Sequence, residues 1–231
     1  MALLETHGLT AFYGDFQALF GIDFAIDAGE TVAIIGANGA GKSTFLKTVA
    51  GLLPSPAAAV RFDGRHIGGA RAFDIVRSGI VLAPEGRRLF PSLSVEENLA
   101  VGGYGRRGKW TLARVYELFP VLAERRAMPA TSLSGGQQQM CAIGRALMAD
   151  PKVLLCDEIS LGLAPIVIKD IYAVLPTIRA EGTAIVIVEQ DIVQALAVAD
   201  RVHCFQEGRM TLSGRPGELT RDAIHAAYFG I

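Results

Sequence analysis

The stretch Gly36-Ala37-Asn38-Gly39-Ala40-Gly41-Lys42-Ser43 carries the residues best suited to chemistry, and that chemistry is phosphate binding. It fits the spacing G-x-x-x-x-G-K-[ST] at every fixed position. Gly36, Gly39 and Gly41 let the backbone curl without Cβ clashes, so successive N–H groups point inward. A helix opening at Lys42 adds positive potential where phosphates would sit. Lys42 offers a point charge to β and γ phosphates, and the Ser43 hydroxyl is placed to ligate Mg2+. Asn38, Ala40 and Thr44 complete the expected ATP-binding stretch.

Two further groups suit the same chemistry. The apolar run Val153–Cys156 ends in Asp157-Glu158, and the tip of a strand in a parallel sheet is where such sheets present ligands. Asp157 is placed to hold the Mg2+ shell, directly or through water. Glu158, one residue on, projects differently and is placed to orient or deprotonate an attacking water. Upstream lies Leu133-Ser134-Gly135-Gly136-Gln137. Ser134 and the amides of Gly135 and Gly136 open a helix N-terminus, which is a second anion site. One chain thus carries two phosphate-binding surfaces for what should be one nucleotide.

Leu133–Gln137 resembles the signature motif of ABC ATPases, and with the phosphate loop and the acidic pair the resemblance covers nearly the whole chain. It implies a head-to-tail dimer, in which Ser134, Gly135, Gly136 and Gln137 of one subunit close over the γ-phosphate held by the other. It also implies that Tyr13 stacks on adenine, although a core or surface aromatic is the plainer alternative. Ser160-Leu161-Gly162-Leu163-Ala164-Pro165 occupies the segment that crosses the dimer interface in the family. Three positions depart from the common pattern. Glu85 stands where most members have glutamine, Gln190 where most have the switch histidine, and Ile159 where proline usually follows the catalytic glutamate. A Glu85 carboxylate is still able to bind Mg2+ or its water. Gln190 can donate a hydrogen bond to a γ-phosphate but cannot shuttle a proton near neutral pH. The expected catalytic set is therefore Glu158 as base, Gln190 as sensor and Lys42, with Ser43, Glu85 and Asp157 toward Mg2+.

The string from Pro84 to Leu99 is similar to one ATPase subunit of bacterial high-affinity branched-chain amino acid importers. That resemblance implies a second ATPase subunit (identical or related), two transmembrane permeases and, indirectly, a periplasmic binding protein. It places the chain on the cytoplasmic face of the inner membrane, held there through the permeases. Urea and amide importers share much of the pattern, and the ATPase does not touch the cargo. Phe90, Pro91 and Leu93 read equally as a groove for a permease helix or as local core packing.

These residues need elements to position them. Leu3–Ala11, Phe20–Ile26, Thr31–Ile35, Val60–Phe62, Ile80–Ala83, Val153–Cys156, Ala184–Val188, Arg201–Phe205 and Arg209–Ser213 are expected as strands. Helices are expected over about Lys42–Ala50, Val95–Val101, Leu112–Leu122, Ser134–Ala149, Ile166–Glu181 (interrupted by Pro176) and Ile192–Ala199. The alternation is that of an α/β fold with a parallel sheet. The resemblance specifies it further: a P-loop NTPase (RecA-like) core formed by 1–84 and 141–231, a small antiparallel β-subdomain, and a helical insertion over 85–140.

Composition narrows the alternatives. The chain has 231 residues, 51% hydrophobic and 19% charged, enough for one large domain. A net charge of -1 gives no footprint for nucleic acid. Arg87-Arg88, Arg106-Arg107 and Arg125-Arg126 read as solvated surface, or for Arg87-Arg88 as a partner contact. Cys141, Cys156 and Cys204 show no metal spacing, and the histidines form no cluster. No apolar run reaches spanning length and no signal peptide is evident. A GTPase would need an Asn-Lys-x-Asp motif, which is absent. A kinase has no use for Leu133–Gln137. A soluble ABC ATPase acting on ribosomes or DNA usually carries two cassettes or a coiled-coil insertion, for which 231 residues leave no room.

Overall fold

The structure is a computed structural model that describes residues 2–105 and 108–230, so the Arg106-Arg107 pair lies outside the described residues. The site rests on a six-stranded sheet. Its strands are β3 (Thr31–Ile35), β6 (Ile80–Ala83), β7 (Val153–Asp157), β8 (Ala184–Glu189), β9 (Arg201–Gln206) and β10 (Arg209–Gly214). The order is β10-β9-β3-β8-β7-β6, and only β10 runs antiparallel to its neighbour. Every residue of β3, β7 and β8 is buried. That is why these strands read as continuous apolar runs rather than alternating ones: both faces are covered.

One face is covered by helix α1 (Lys42–Val49) and, beyond it, a four-stranded antiparallel sheet. The latter is ordered β2-β1-β4-β5, from β1 (Leu4–Tyr13), β2 (Phe16–Ile26), β4 (Val60–Phe62) and β5 (Arg65–His66). Phe45 of α1 is the joint: its ring lies 5.1 Å from Phe24 of β2 and 5.6 Å from Phe205 of β9. Burying three such rings contributes several kcal/mol, so the start of α1 is tied to both sheets.

The other face carries the helices. These are α3 (Val95–Gly102), α4 (Leu112–Leu118), α5 (Pro120–Glu124), α6 (Gly135–Met148), α7 (Pro165–Ala173) and α8 (Leu175–Ala180), packed with β6 and β7 in one apolar cluster. α6 runs unbroken past residue 140, so the 140/141 division drawn from sequence falls inside a helix. α9 (Ile192–Val198) joins Ala33, Ile35 and Val202 in a third cluster.

Several expectations differ in detail. The single helix over Leu112–Leu122 is two, because Pro120 forces Phe119 out of the helical region (φ -130°, ψ 75°). The helix over Ile166–Glu181 also divides, at Val174, with Pro176 in the first turn of α8. α2 (Ala72–Ser78) and α10 (Arg221–Phe229) were not expected. α2 buries only Ile75 and so has almost no apolar periodicity. α10 has clear end signals, with Thr220 capping Ala223 N–H and Gly230 in the left-handed region at its C-terminus.

Candidate functional site

β3 delivers the chain into the glycine turn, and α1 carries it away. Gly36 has φ +151°, and a Cβ there would stand 2.2 Å from the Phe205 carbonyl oxygen, so only glycine fits. Lys42 is 4% exposed. Its Nζ donates to the carbonyls of Gly36 (2.8 Å) and Ala37 (3.1 Å) and lies 3.6 Å from the Glu158 carboxylate. The ammonium is thus held at the loop's own mouth, where a phosphate oxygen can replace those acceptors.

Ser43 and Asp157, 114 residues apart, meet directly: Ser43 Oγ donates to Asp157 Oδ1 at 2.8 Å. Burial pushes the Asp157 carboxyl above the usual carboxylate range. The Ser43 hydrogen bond and Lys47 oppose that shift, and the negative charges of Glu158 and Glu85 add to it. A cation at this place would relieve both the burial and the repulsion. Glu158 sits in the left-handed region (φ +49°), anchored by its N–H to the Val188 carbonyl at 3.0 Å. Its carboxylate accepts from Gln190 Nε2 at 2.9 Å. Asn38, Gly39, Gly41, Lys42, Ser43, Thr44, Glu85, Glu158, Leu161 and Gln190 line one open cavity of about 380 Å3.

A second cavity of about 590 Å3 adjoins the first across Gly39, Gly41 and Thr44. Tyr13 is one wall, its hydroxyl 3.3 Å from Thr44 Oγ1. Phe16, 71% exposed, and Phe20, with the Arg209 guanidinium stacked 4.8 Å over its ring, are further walls. Sequence reasoning missed Phe16 and Arg209. Phe16 had a signal, a large aromatic beside the Gly14-Asp15 turn; Arg209 had none.

A model of the ABC transporter family matches residues 19–160. The high-affinity branched-chain amino acid transport ATP-binding protein BraG of Pseudomonas aeruginosa is 43% identical over 99% of this chain and 100% of its own length. The chain belongs to the ABC transporter family. A probable branched-chain amino acid transport ATP-binding protein, LivF of Archaeoglobus fulgidus, is 31% identical over 94% of each chain. The fold matches the crystal structure of a nucleotide-free ATP-binding cassette from an ABC transporter, with TM-score 0.82 and 26% identity over 98% of this chain and 95% of that one.

In this ABC transporter-family chain, the signature segment stands apart from the cavity. Ser134 caps α6: its Oγ accepts from Gln137 N–H (3.4 Å), while Gln137 Oε1 accepts from Ser134 N–H (3.1 Å). The lining of the 380 Å3 cavity includes none of Ser134, Gly135, Gly136 or Gln137. Gly136 is required for packing, since a Cβ there would meet Val167 Cγ1 of α7 at 2.2 Å. Gly135 faces the Arg87 guanidinium, with Nη2 at 3.1 Å from a Cβ built on it.

The loop after β6 is fixed by two residues the sequence reading passed over. Asn98, fully buried, accepts from Phe90 N–H (2.8 Å) and donates to the carbonyls of Phe90, Leu93 and Ser94. Arg145 donates to the carbonyls of Arg88 (2.7 Å) and Arg87 (3.0 Å), both of which have positive φ. Phe90 and Pro91 are exposed and Leu93 is half-buried. All three cysteines are free and buried. Among the described residues no helix is long and apolar enough to cross a membrane.

Proposed function

We propose that this chain is the ATP-binding and ATP-hydrolysing subunit of an ABC importer, with branched-chain amino acids as the cargo class. The observation that carries the reading is the convergence of Lys42, the Ser43–Asp157 pair and the Glu158–Gln190 pair around one cavity floored by a phosphate loop. The printed role of BraG supports the cargo class.

Triphosphate oxygens displace the Gly36 and Ala37 carbonyls from Lys42. Tyr13 stacks on the base, with the 590 Å3 cavity as the nucleoside site. The hydroxyl of Ser43 and the carboxylates of Asp157 and Glu85 are hard oxygen donors and suit Mg2+. Among the described residues no group of three or more His, Cys, Asp or Glu could hold a metal unaided. That suits an ion that keeps waters and takes phosphate ligands. When bound, Mg2+ neutralises charge developing on the phosphates. Glu158 accepts the proton as water oxygen bonds to the γ-phosphorus and the bond to the β–γ bridging oxygen breaks, giving ADP and phosphate. Gln190 holds the Glu158 carboxylate and donates to the γ-phosphate.

The residues Ser134–Gln137 complete the site of a facing subunit in a head-to-tail dimer. The reading extends to a core of 1–84 and 141–231 and a helical part over 85–140, the two joined through α6, which crosses the 140/141 division, and to two permease partners on the cytoplasmic face of the inner membrane. Exposed Phe90 and Pro91 favour the permease groove over core packing.

The test is to co-express the chain with its permeases and measure ATP turnover and branched-chain amino acid uptake in membrane vesicles. Lys42→Ala should lower ATP affinity at least about tenfold and abolish both activities. Normal ATP affinity in that variant would overturn the phosphate-loop assignment; uptake of urea or an amide instead would overturn the cargo.

A further inference from the structure

Glu189, the last residue of β8, has no part in the hydrolysis scheme, yet it is 2% exposed and collects three hydrogen bonds. Its Oε2 accepts from Ser160 Oγ at 2.6 Å. Its Oε1 accepts from Tyr172 OH at 2.6 Å and from Ser160 N–H at 3.3 Å. Burying a carboxylate is costly, and three donors are what offsets it. An aliphatic residue here would be the cheaper way to finish a strand, so the placement calls for a reason beyond packing.

Its two partner residues and Glu189 itself come from three functional segments. Ser160 lies two residues after Glu158, on the turn whose amide at Leu161 bonds the Glu158 carbonyl at 3.2 Å. Tyr172 lies on α7, the helix whose Val167 touches Gly136 at the start of α6. Glu189 itself immediately precedes Gln190, the residue bonded to the Glu158 carboxylate.

We infer that Glu189 is a positioning residue: it pins the turn after the catalytic glutamate and the helix behind the signature segment to the strand tip that carries Gln190. The inference rests on the hydrolytic reading of Glu158 and Gln190. It links the nucleotide held by this chain to the α6 N-terminus offered to a facing subunit, through Glu189, Tyr172, Val167 and Gly136.

Burial pushes both the Tyr172 phenol and the Glu189 carboxyl upward, so the phenol stays a donor. A glutamine at 189 can satisfy the same partners: its Oε1 still accepts from Tyr172 OH and Ser160 N–H, and its Nε2 donates to Ser160 Oγ, which turns from donor to acceptor. An alanine leaves Ser160 Oγ and Tyr172 OH unpaired.

The experiment compares ATP binding and steady-state hydrolysis for the full chain with Glu189→Ala, Glu189→Gln, Tyr172→Phe and Ser160→Ala. Glu189→Ala should lower kcat about tenfold or more with the ATP Kd within about threefold, while Glu189→Gln stays within about threefold in kcat. Tyr172→Phe and Ser160→Ala should each lower kcat by about threefold or more at unchanged Kd. A folded Glu189→Ala with wild-type kcat overturns the assignment. So does a parallel loss of binding and turnover across the series, which marks a merely structural role. Where Glu189→Ala fails to fold, Tyr172→Phe and Ser160→Ala decide by the same criteria. Absence of turnover in the wild-type chain would instead remove the hydrolytic reading on which the inference stands.

Discussion

Gln190 donates through Nε2 to Oε2 of Glu158 at 2.9 Å, and the Glu158 carboxylate lies on its other side 3.6 Å from Lys42. The carboxylate is thus held between an amide and an ammonium, on a backbone at φ +49°, a conformation costing on the order of 1–3 kcal/mol that a non-glycine residue keeps only when its surroundings enforce it.

Glu158→Gln keeps the shape and the Gln190 contact but removes the proton acceptor. ATP affinity should be equal or tighter, since a negative charge leaves the phosphate site. Turnover should fall by about 100-fold or more. Equilibrium binding and single-turnover hydrolysis check this, and surviving turnover would show that another group is the base.

Gly136→Ala would drive a methyl to 2.2 Å from Val167 Cγ1. Stability should fall by about 1–3 kcal/mol in denaturant unfolding. Adding Val167→Ala should recover much of that loss, because the two side chains compete for one space, so the double mutant should be strongly non-additive.

Arg145→Met removes the guanidinium that clasps the Arg87 and Arg88 carbonyls and stacks 5.4 Å over Phe90. Global stability should drop by only about 1–2 kcal/mol. Amide exchange should rise selectively in residues 86–91, and coupling to the permeases should weaken at unchanged ATP affinity.

His203 is 3% exposed, packs edge-on at 5.3 Å against Phe24, and neither ring nitrogen has a hydrogen-bond partner among the described residues. Burial, aided by Arg201, lowers its pKa from 6.5 to about 4. The unfolded chain takes up the proton more readily. The stability tied to the neutral ring is therefore complete above pH 6.5 and is lost as pH falls toward 4, by up to about 3 kcal/mol. His203→Leu should flatten the pH dependence of unfolding over that window relative to wild type.

Local features were legible in the sequence because they depend on neighbours along the chain. The glycine loop between β3 and α1, the helix opening at Ser134 and the buried strands β3, β6, β7 and β8 follow from spacing, helix-start residues and apolar runs. α2 escaped for the opposite reason, a helix with one buried side chain and no period to detect. What only the tertiary structure decided are contacts between distant segments. Ser43 meets Asp157 across 114 residues, Glu189 gathers Ser160 and Tyr172, Gly136 must be small because Val167 lies against it, and Phe205 leaves Gly36 no room for a side chain. Spacing sets which residue follows which, but the distance between two side chains from separate strands depends on how the sheet orders those strands. Here β3, β8 and β7 lie side by side, and that adjacency brings the phosphate loop, Gln190 and Glu158 to one edge.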